Sequence, residues 1–214
     1  MKPGCIIFDF DGTIADTSPG IFNSIRYAAN KLNLRELSVE ELKLHLGPPI
    51  REAYNRSFGI TGEKLEQAIE LHKEYSLSTG YREFEFYPEM LNVLLELRKR
   101  GFKMGIATSK PDVIIKKIVQ VNNLEEFFDV VCGTICSESK TEVIEKCLKN
   151  LPGCNDITVI GDSVFDQMAA KTFGLKFIGV TYGYGFVKND TCECKSSVII
   201  PTEILNFFNK IPNL

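Results

Sequence analysis

Two aspartates one residue apart, Asp9 and Asp11, close the apolar run Ile6-Ile7-Phe8, and Gly12-Thr13 follows at once. Alternate side chains of a strand share a face, so both carboxylates point to one side. Gly12 lets the chain turn sharply with no Cβ in the way. The expected result is a pair of carboxylates at the carboxyl end of the first strand, beside an open backbone loop. Open α/β sheets bind their ligands at that edge. The plainer reading is an aspartate capping a helix after an ordinary buried strand.

Three further clusters fall at comparable places. Thr108-Ser109 closes a strand predicted at 103–107. Lys140 stands at a predicted helix start in Ser137-Glu138-Ser139-Lys140-Thr141. Gly161-Asp162-Ser163-Val164-Phe165-Asp166 follows the buried strand Ile157-Thr158-Val159-Ile160. Each has a plain alternative: a Ser/Thr cap, a solvated lysine, an aspartate cap. Four such clusters in this order, each where a parallel sheet exposes one edge, are more specific than any one alone.

The elements that must position them read as follows. Residues 16–80 show helical patterns and no convincing strand. Asp16-Thr17-Ser18-Pro19 is a helix start, and Ile21, Ile25, Ala28, Ala29 and Leu32 follow at helical spacing. A capping-box pattern at 38–42, the break Gly47-Pro48-Pro49, and helices over about 50–57 and 63–76 complete the block. From Tyr87-Pro88 strands and helices alternate: helix 88–100, strand 103–107, helix 112–121, a short strand 130–132, helix 140–150, strand 157–160, a helix from near Phe165, strand 176–180, a short strand 198–200 and a final helix 202–209. Alternation of this kind implies a mostly parallel sheet covered on both faces. The chain is thus one strand, an all-helical insert, then a resumed α/β core, with hinges near Asp16 and Phe84–Tyr87. An insert placed just after the first loop could act as a lid over Asp9 and Asp11.

The 214 residues carry a net charge of -3, with 44% apolar and 25% charged residues. That suits a soluble globular chain with a sizeable core, and no basic footprint argues for nucleic acid. No apolar run reaches membrane-spanning length, and the start has no signal-peptide anatomy, so a cytoplasmic protein without membrane contact is expected. The seven cysteines are odd in number and lack a framework spacing, which reads as reduced thiols. Cys192 and Cys194 form a close pair with no second pair nearby, which reads as a solvent loop rather than a zinc site. His45 and His72 lack metal-ligand spacing and read as surface residues of the insert. Thr181-Tyr182-Gly183-Tyr184-Gly185 is Gly-rich but has no lysine at P-loop spacing, and reads as a loop near the site.

Asp9-Phe10-Asp11-Gly12-Thr13 resembles the first motif of the haloacid dehalogenase superfamily of hydrolases, most closely its phosphoglycolate-phosphatase-like branch. The other three motifs have counterparts in Thr108, Lys140 and Asp162, and the resemblance covers nearly the whole chain, least well the insert and the tail from about 186. It implies a Rossmann-like, mostly parallel α/β core over 1–15 and 86–214, with an all-α cap domain over 16–85. It gives Asp9 the role of nucleophile and Asp11 that of general acid and base. Thr108, with Ser109 and Gly12 beside it, would bind phosphate together with Lys140. Mg²⁺ would be the cofactor, held by Asp9, Asp162, the backbone carbonyl of Asp11, and Asp166 as the second member of the acidic pair. The loop at Gly47 looks like the branch's substrate loop. Arg51 just after it would suit a second anionic group on the substrate, or would be solvated on its helix face. Tyr54 and Phe58 read as cap core.

Such residue types answer a specific chemical problem. A phosphate monoester dianion repels a carboxylate nucleophile, so positive charge must be supplied first, by a hard cation and by Lys140. Asp9 would attack phosphorus in line and form an aspartyl phosphate. Asp11 would protonate the leaving alkoxide and then deprotonate the attacking water, and must therefore hold a proton when substrate arrives. The expected substrate is a small phosphorylated metabolite, phosphoglycolate first, then a nucleoside 5′-monophosphate, pyrophosphate or an aryl ester, turned over by a monomer or weak homodimer. A mutase of the β-phosphoglucomutase type would carry a histidine in the first cap helix, and 17–32 has none. Dehalogenase chemistry is disfavoured by the presence of Asp11. A non-catalytic phospho-switch is disfavoured by Asp11 and by the helical insert.

Overall fold

The computed structural model describes residues 4–136, 138–151, 153–186 and 196–208. Cys192 and Cys194 lie outside them. The chain divides into two compact units: residues 1–16 with 86–214, and residues 17–85.

The first unit is built on β1 (Cys5–Phe8). Every residue of this strand is buried, as expected of a strand covered on both faces. After the second unit the chain re-enters at Phe86 and forms α5 (Met90–Lys99), β4 (Lys103–Pro111), α6 (Asp112–Val121) and β5 (Val130–Thr134). Helix α7 (Lys140–Asn150), β6 (Ile157–Gly161), α8 (Val164–Thr172), β7 (Lys176–Val180) and β8 (Ser197–Val198) follow. The six strands pair in parallel in the order β5-β4-β1-β6-β7-β8. From β1 the chain builds outward through β4 and β5 on one side, then crosses to build β6, β7 and β8 on the other. The order reverses at β1, so a crevice opens at its carboxyl end, where Asp9 stands. One face of the sheet packs Ile7, Ala107 and Val159 against Val143, Ile144 and Cys147 of α7 and Ala169 of α8.

The second unit is helical: α1 (Ser18–Lys31), α2 (Val39–Lys43), α3 (Ile50–Phe58) and α4 (Gly62–Ser78), then a 3-10 turn at Gly80–Arg82. The pattern at 38–42 is a capping box: the Glu41 amide donates to Ser38, and the Ser38 amide donates to Glu41. Its core gathers Ile25, Ala28, Leu37, Leu42, Tyr54, Ile60 and Ala68, with Phe58 packed against them. Tyr54 and Phe58 are therefore core residues, as expected.

The α/β class with a mostly parallel sheet and a helical insert is as the sequence reads. Four details differ. Two short strands, β2 (Ala15–Asp16) and β3 (Glu85–Phe86), pair with each other where the chain leaves and re-enters the α/β unit; two-residue strands carry no alternation to read. The final helix is a 3-10 helix, Pro201–Phe208. His45 is buried, not a surface residue. The chain turns back after α2, with the His45 amide on the Leu42 carbonyl, which sets the imidazole edge-on to Tyr54 and its Nε2 2.9 Å from Ser57 Oγ. Finally, Cys5 and Cys154 stand as a disulfide pair with Cα atoms 5.8 Å apart. The reading of reduced thiols fails there because 149 residues of separation hide a neighbourhood made by β1–β6 pairing. Cys132, Cys136 and Cys147 are free.

Candidate active site

Asp9 is the residue after β1, its amide donating to Ile160 of β6 at 2.9 Å. Asp162 is the residue after β6, so parallel pairing of β1 with β6 brings these two carboxylates to the same sheet edge. Lys140 is the first residue of α7, whose N-cap is Ser139 in a capping box with Glu142. A cation at a helix N-terminus opposes the helix dipole. Here two carboxylates offset that cost: Lys140 Nζ lies 2.7 Å from Asp9 Oδ1 and 2.8 Å from Asp166 Oδ1. Asp166 is fixed in turn as the third residue of α8, its Oδ2 accepting from the Ser163 amide and hydroxyl. The capping motif that starts α8 thus aims the other oxygen of Asp166 at Lys140.

Asp9, Asp162 and Asp166 are all buried, and each offers an oxygen within 4.8 Å of the others. Three carboxylates and one ammonium out of water leave an excess of negative charge. Burial, then repulsion from Asp166 and Asp9, pushes Asp162 up to about 8, against the pull of two backbone amides. Burial likewise pushes Asp9 up to about 7, with Lys140 pulling it down and Asp166 and Asp11 pushing it up. Burial alone would lower Lys140; Asp166 and Asp9 outweigh it and hold the ammonium charged. An all-oxygen, over-anionic cluster fits a hard divalent cation such as Mg²⁺, which would supply the missing positive charge.

Asp11 stands apart from that cluster. Its carboxylate pairs with Lys110, Nζ to Oδ1 3.1 Å. Gly12 adopts φ +74, and a Cβ there would run into the Asp162 carboxylate and come within 2.9 Å of the Tyr184 ring. Only glycine allows this turn and this approach. Thr108 is buried inside β4, which runs to Pro111 rather than stopping at the predicted 107 because its pairing with β5 resumes after a register shift between Ala107 and Pro111; its Oγ1 accepts from the Lys110 amide. Ser109 is exposed, its carbonyl accepting from Thr134. Gly47 and Arg51 belong to the helical unit. Gly47 has φ +97, and Arg51 makes a two-pronged ion pair with Glu66 of α4, its Nη2 2.8 Å from Oε2.

One contributor escapes sequence reading, and for a second, the loop expected near the site, the contacts do. Lys110 faces Asp11, although the run Thr108-Ser109-Lys110-Pro111 was in plain view; a lysine beside a strand-end hydroxyl is the available signal. The loop at 181–186 supplies backbone amides, with Tyr184 and Gly185 both donating to Asp162 Oδ2, at 2.7 and 3.2 Å. Backbone donors leave no trace in residue types.

The model of the family described as haloacid dehalogenase-like hydrolase matches residues 6–180, and the chain belongs to that family. It is similar to a 5′-nucleotidase of Pseudomonas aeruginosa, 29% identical over 84% of this chain and 83% of the relative. It is similar to a phosphoglycolate phosphatase of Vibrio parahaemolyticus, 28% identical over 84% of each. The crystal structure of a predicted phosphatase from Clostridium acetobutylicum superposes with a TM-score of 0.88 at 28% identity, covering 97% of this chain and 99% of that one. With these phosphatase relatives, the chain is an enzyme of the phosphoric monoester hydrolase class.

Proposed function

We propose that the protein hydrolyses a small phosphorylated metabolite through an aspartyl phosphate on Asp9, with Mg²⁺ held by Asp9, Asp162 and Asp166 and by the backbone carbonyl of Asp11. The observation that carries this reading is the Asp9–Lys140–Asp166 triad beside Asp162, buried at the carboxyl end of the central strands. The cation would offset charge on the phosphoryl group when bound. Lys140 holds Asp9 in one orientation and presents positive charge beside the attacking carboxylate. Asp9 forms the bond to phosphorus as the ester oxygen leaves; Asp11 protonates that oxygen and then takes a proton from the water that attacks phosphorus, which breaks the Asp9–phosphorus bond and releases inorganic phosphate. Lys110 faces Asp11 and orients it. Thr108, with Ser109 and the backbone at Gly12, holds the remaining phosphoryl oxygens.

Phosphoglycolate is the leading substrate, supported by the relative of that name and by the motif resemblance. Gly47 and Arg51 are the residues assigned to its carboxylate, which would compete with Glu66 for the guanidinium. A nucleoside 5′-monophosphate is the second reading, favoured by the 5′-nucleotidase relative of equal coverage. Phosphate release with Mg²⁺ across a panel of phosphoglycolate, nucleoside monophosphates, sugar phosphates and pyrophosphate separates them, with Asp9→Asn as the blank. Preferred turnover of phosphoglycolate that vanishes in the variant supports the reading. Equal turnover by the variant removes Asp9 as nucleophile.

A further inference from the structure

The loop after β7 does more than border the site. Its Tyr184 and Gly185 amides take the same oxygen of Asp162, Oδ2, while the Phe186 amide donates to the Asp162 carbonyl at 2.8 Å. Gly183 fits because it has no side chain: a Cβ would meet the Gly12 carbonyl and lie 2.5 Å from Asp162 Cβ. A carboxylate with one oxygen doubly hydrogen-bonded cannot swing about its χ2, so the position of its other oxygen is set by where this loop sits.

Two phenols tie the loop down: Tyr182 Oη donates to the Thr13 carbonyl at 3.0 Å, and Tyr184 makes the contact to a charged group. Tyr184 Oη donates to Asp16 Oδ1 at 2.7 Å, a charge-assisted bond to the last residue of the first segment of the α/β unit. The Tyr87 hydroxyl shares a further hydrogen bond with Tyr184. One residue thus grips Asp162 through its amide and the strand β2 through its hydroxyl.

We propose that Tyr184 is a positioning residue, acting through Asp162, whose hydroxyl bond to Asp16 sets the affinity of the acidic cluster for its divalent cation. The proposal rests on the reading of Asp9, Asp162 and Asp166 as cation ligands. Nothing in residue type announces the role, because the grip on Asp162 is made by the main chain and only its anchor is a side chain.

The test is Mn²⁺ binding to the full chain without substrate, followed by the paramagnetic signal of the free ion. Tyr184→Phe keeps the ring and the amide and loses the anchor; Asp16→Ala removes the acceptor. Each is expected to weaken Mn²⁺ binding roughly 10-fold, the lower end of the range for groups that hold metal ligands in place. The double variant is expected to be no weaker than Tyr184→Phe alone, because both substitutions remove the Tyr184–Asp16 bond. Melting temperatures at saturating Mn²⁺ are expected to stay together. Wild-type affinity in both single variants overturns the proposal alone, and so does an additive double variant. A wild-type chain that binds no Mn²⁺ overturns the cation reading and the proposal with it.

Discussion

The two units of the chain treat buried polar groups in opposite ways. In the α/β unit Asp9, Thr108, Lys140, Asp162, Ser163 and Asp166 are buried together at one end of the sheet. In the helical unit the buried polar residues are Thr17, Ser24 and His45, none of them a carboxylate or a lysine among the described residues. Two of the three close short local bonds: Ser24 Oγ donates to the Gly20 carbonyl and His45 meets Ser57. Burying charge is costly unless charges pair, and removing one partner leaves an uncompensated ion. The first unit carries that cost at a single place and the second avoids it. Concentrated buried charge marks where chemistry is done; dispersed, uncharged polarity marks a unit built for packing.

Substitutions in the two units should therefore differ in kind. Asp9→Asn is expected to lower phosphate release by about 10⁴-fold or more, since it removes the group that forms the bond. Circular dichroism and the melting temperature should change little. Lys140→Ala is expected to act on both levels, lowering turnover by at least ~10²-fold and stability by roughly 3–5 kcal/mol in urea unfolding, because two buried carboxylates lose their shared cation. A Lys140→Ala protein as stable as wild type would contradict the pairing.

The helical unit supplies the pH test. Burial, with help from the Arg56 charge, lowers His45 to about 4 from an ordinary 6.5. The folded state then binds fewer protons than the unfolded one between these values, so stability rises with pH. The contribution of His45 is complete above pH 6.5 and is lost as the pH falls toward 4, by up to about 3 kcal/mol. Urea unfolding of wild type against His45→Gln over that range checks it; the variant should show the shallower slope. The smallest effect is expected at Arg51→Ala. Its exposed pair with Glu66 should cost about 0.5 kcal/mol or less. A several-fold rise in KM for phosphoglycolate with kcat unchanged would support its contact with substrate, and an unchanged KM would leave it a surface ion pair.

Much of the site was legible because side-chain chemistry and spacing carry it. Asp9, Asp162 and Lys140 each sit at the end of a strand or the start of a helix whose apolar pattern is plain in the sequence, and parallel pairing gathers them. The capping boxes at Ser139 and Ser163 leave a local trace too, polar residues three apart, although the sequence reading singles out only the one at 38–42; they aim Lys140 and Asp166. What stayed hidden is long-range or main-chain. The Cys5–Cys154 pair depends on strand order, which no local pattern fixes. The burial of His45 depends on a backbone turn after a five-residue helix. The amides of Tyr184 and Gly185 on Asp162 could come from any residue type, and only the run of glycines hinted that a backbone approaches closely there.

The central claim is that Asp9 carries the phosphoryl group. Protein mixed with phosphoglycolate and Mg²⁺, quenched in acid within one turnover and reduced with borohydride, converts an acyl phosphate into homoserine at the phosphorylated aspartate. Peptide mass mapping is expected to find homoserine at position 9, none at position 11, and none at either in Asp9→Asn. Homoserine at position 11, or full turnover by Asp9→Asn, would contradict the account.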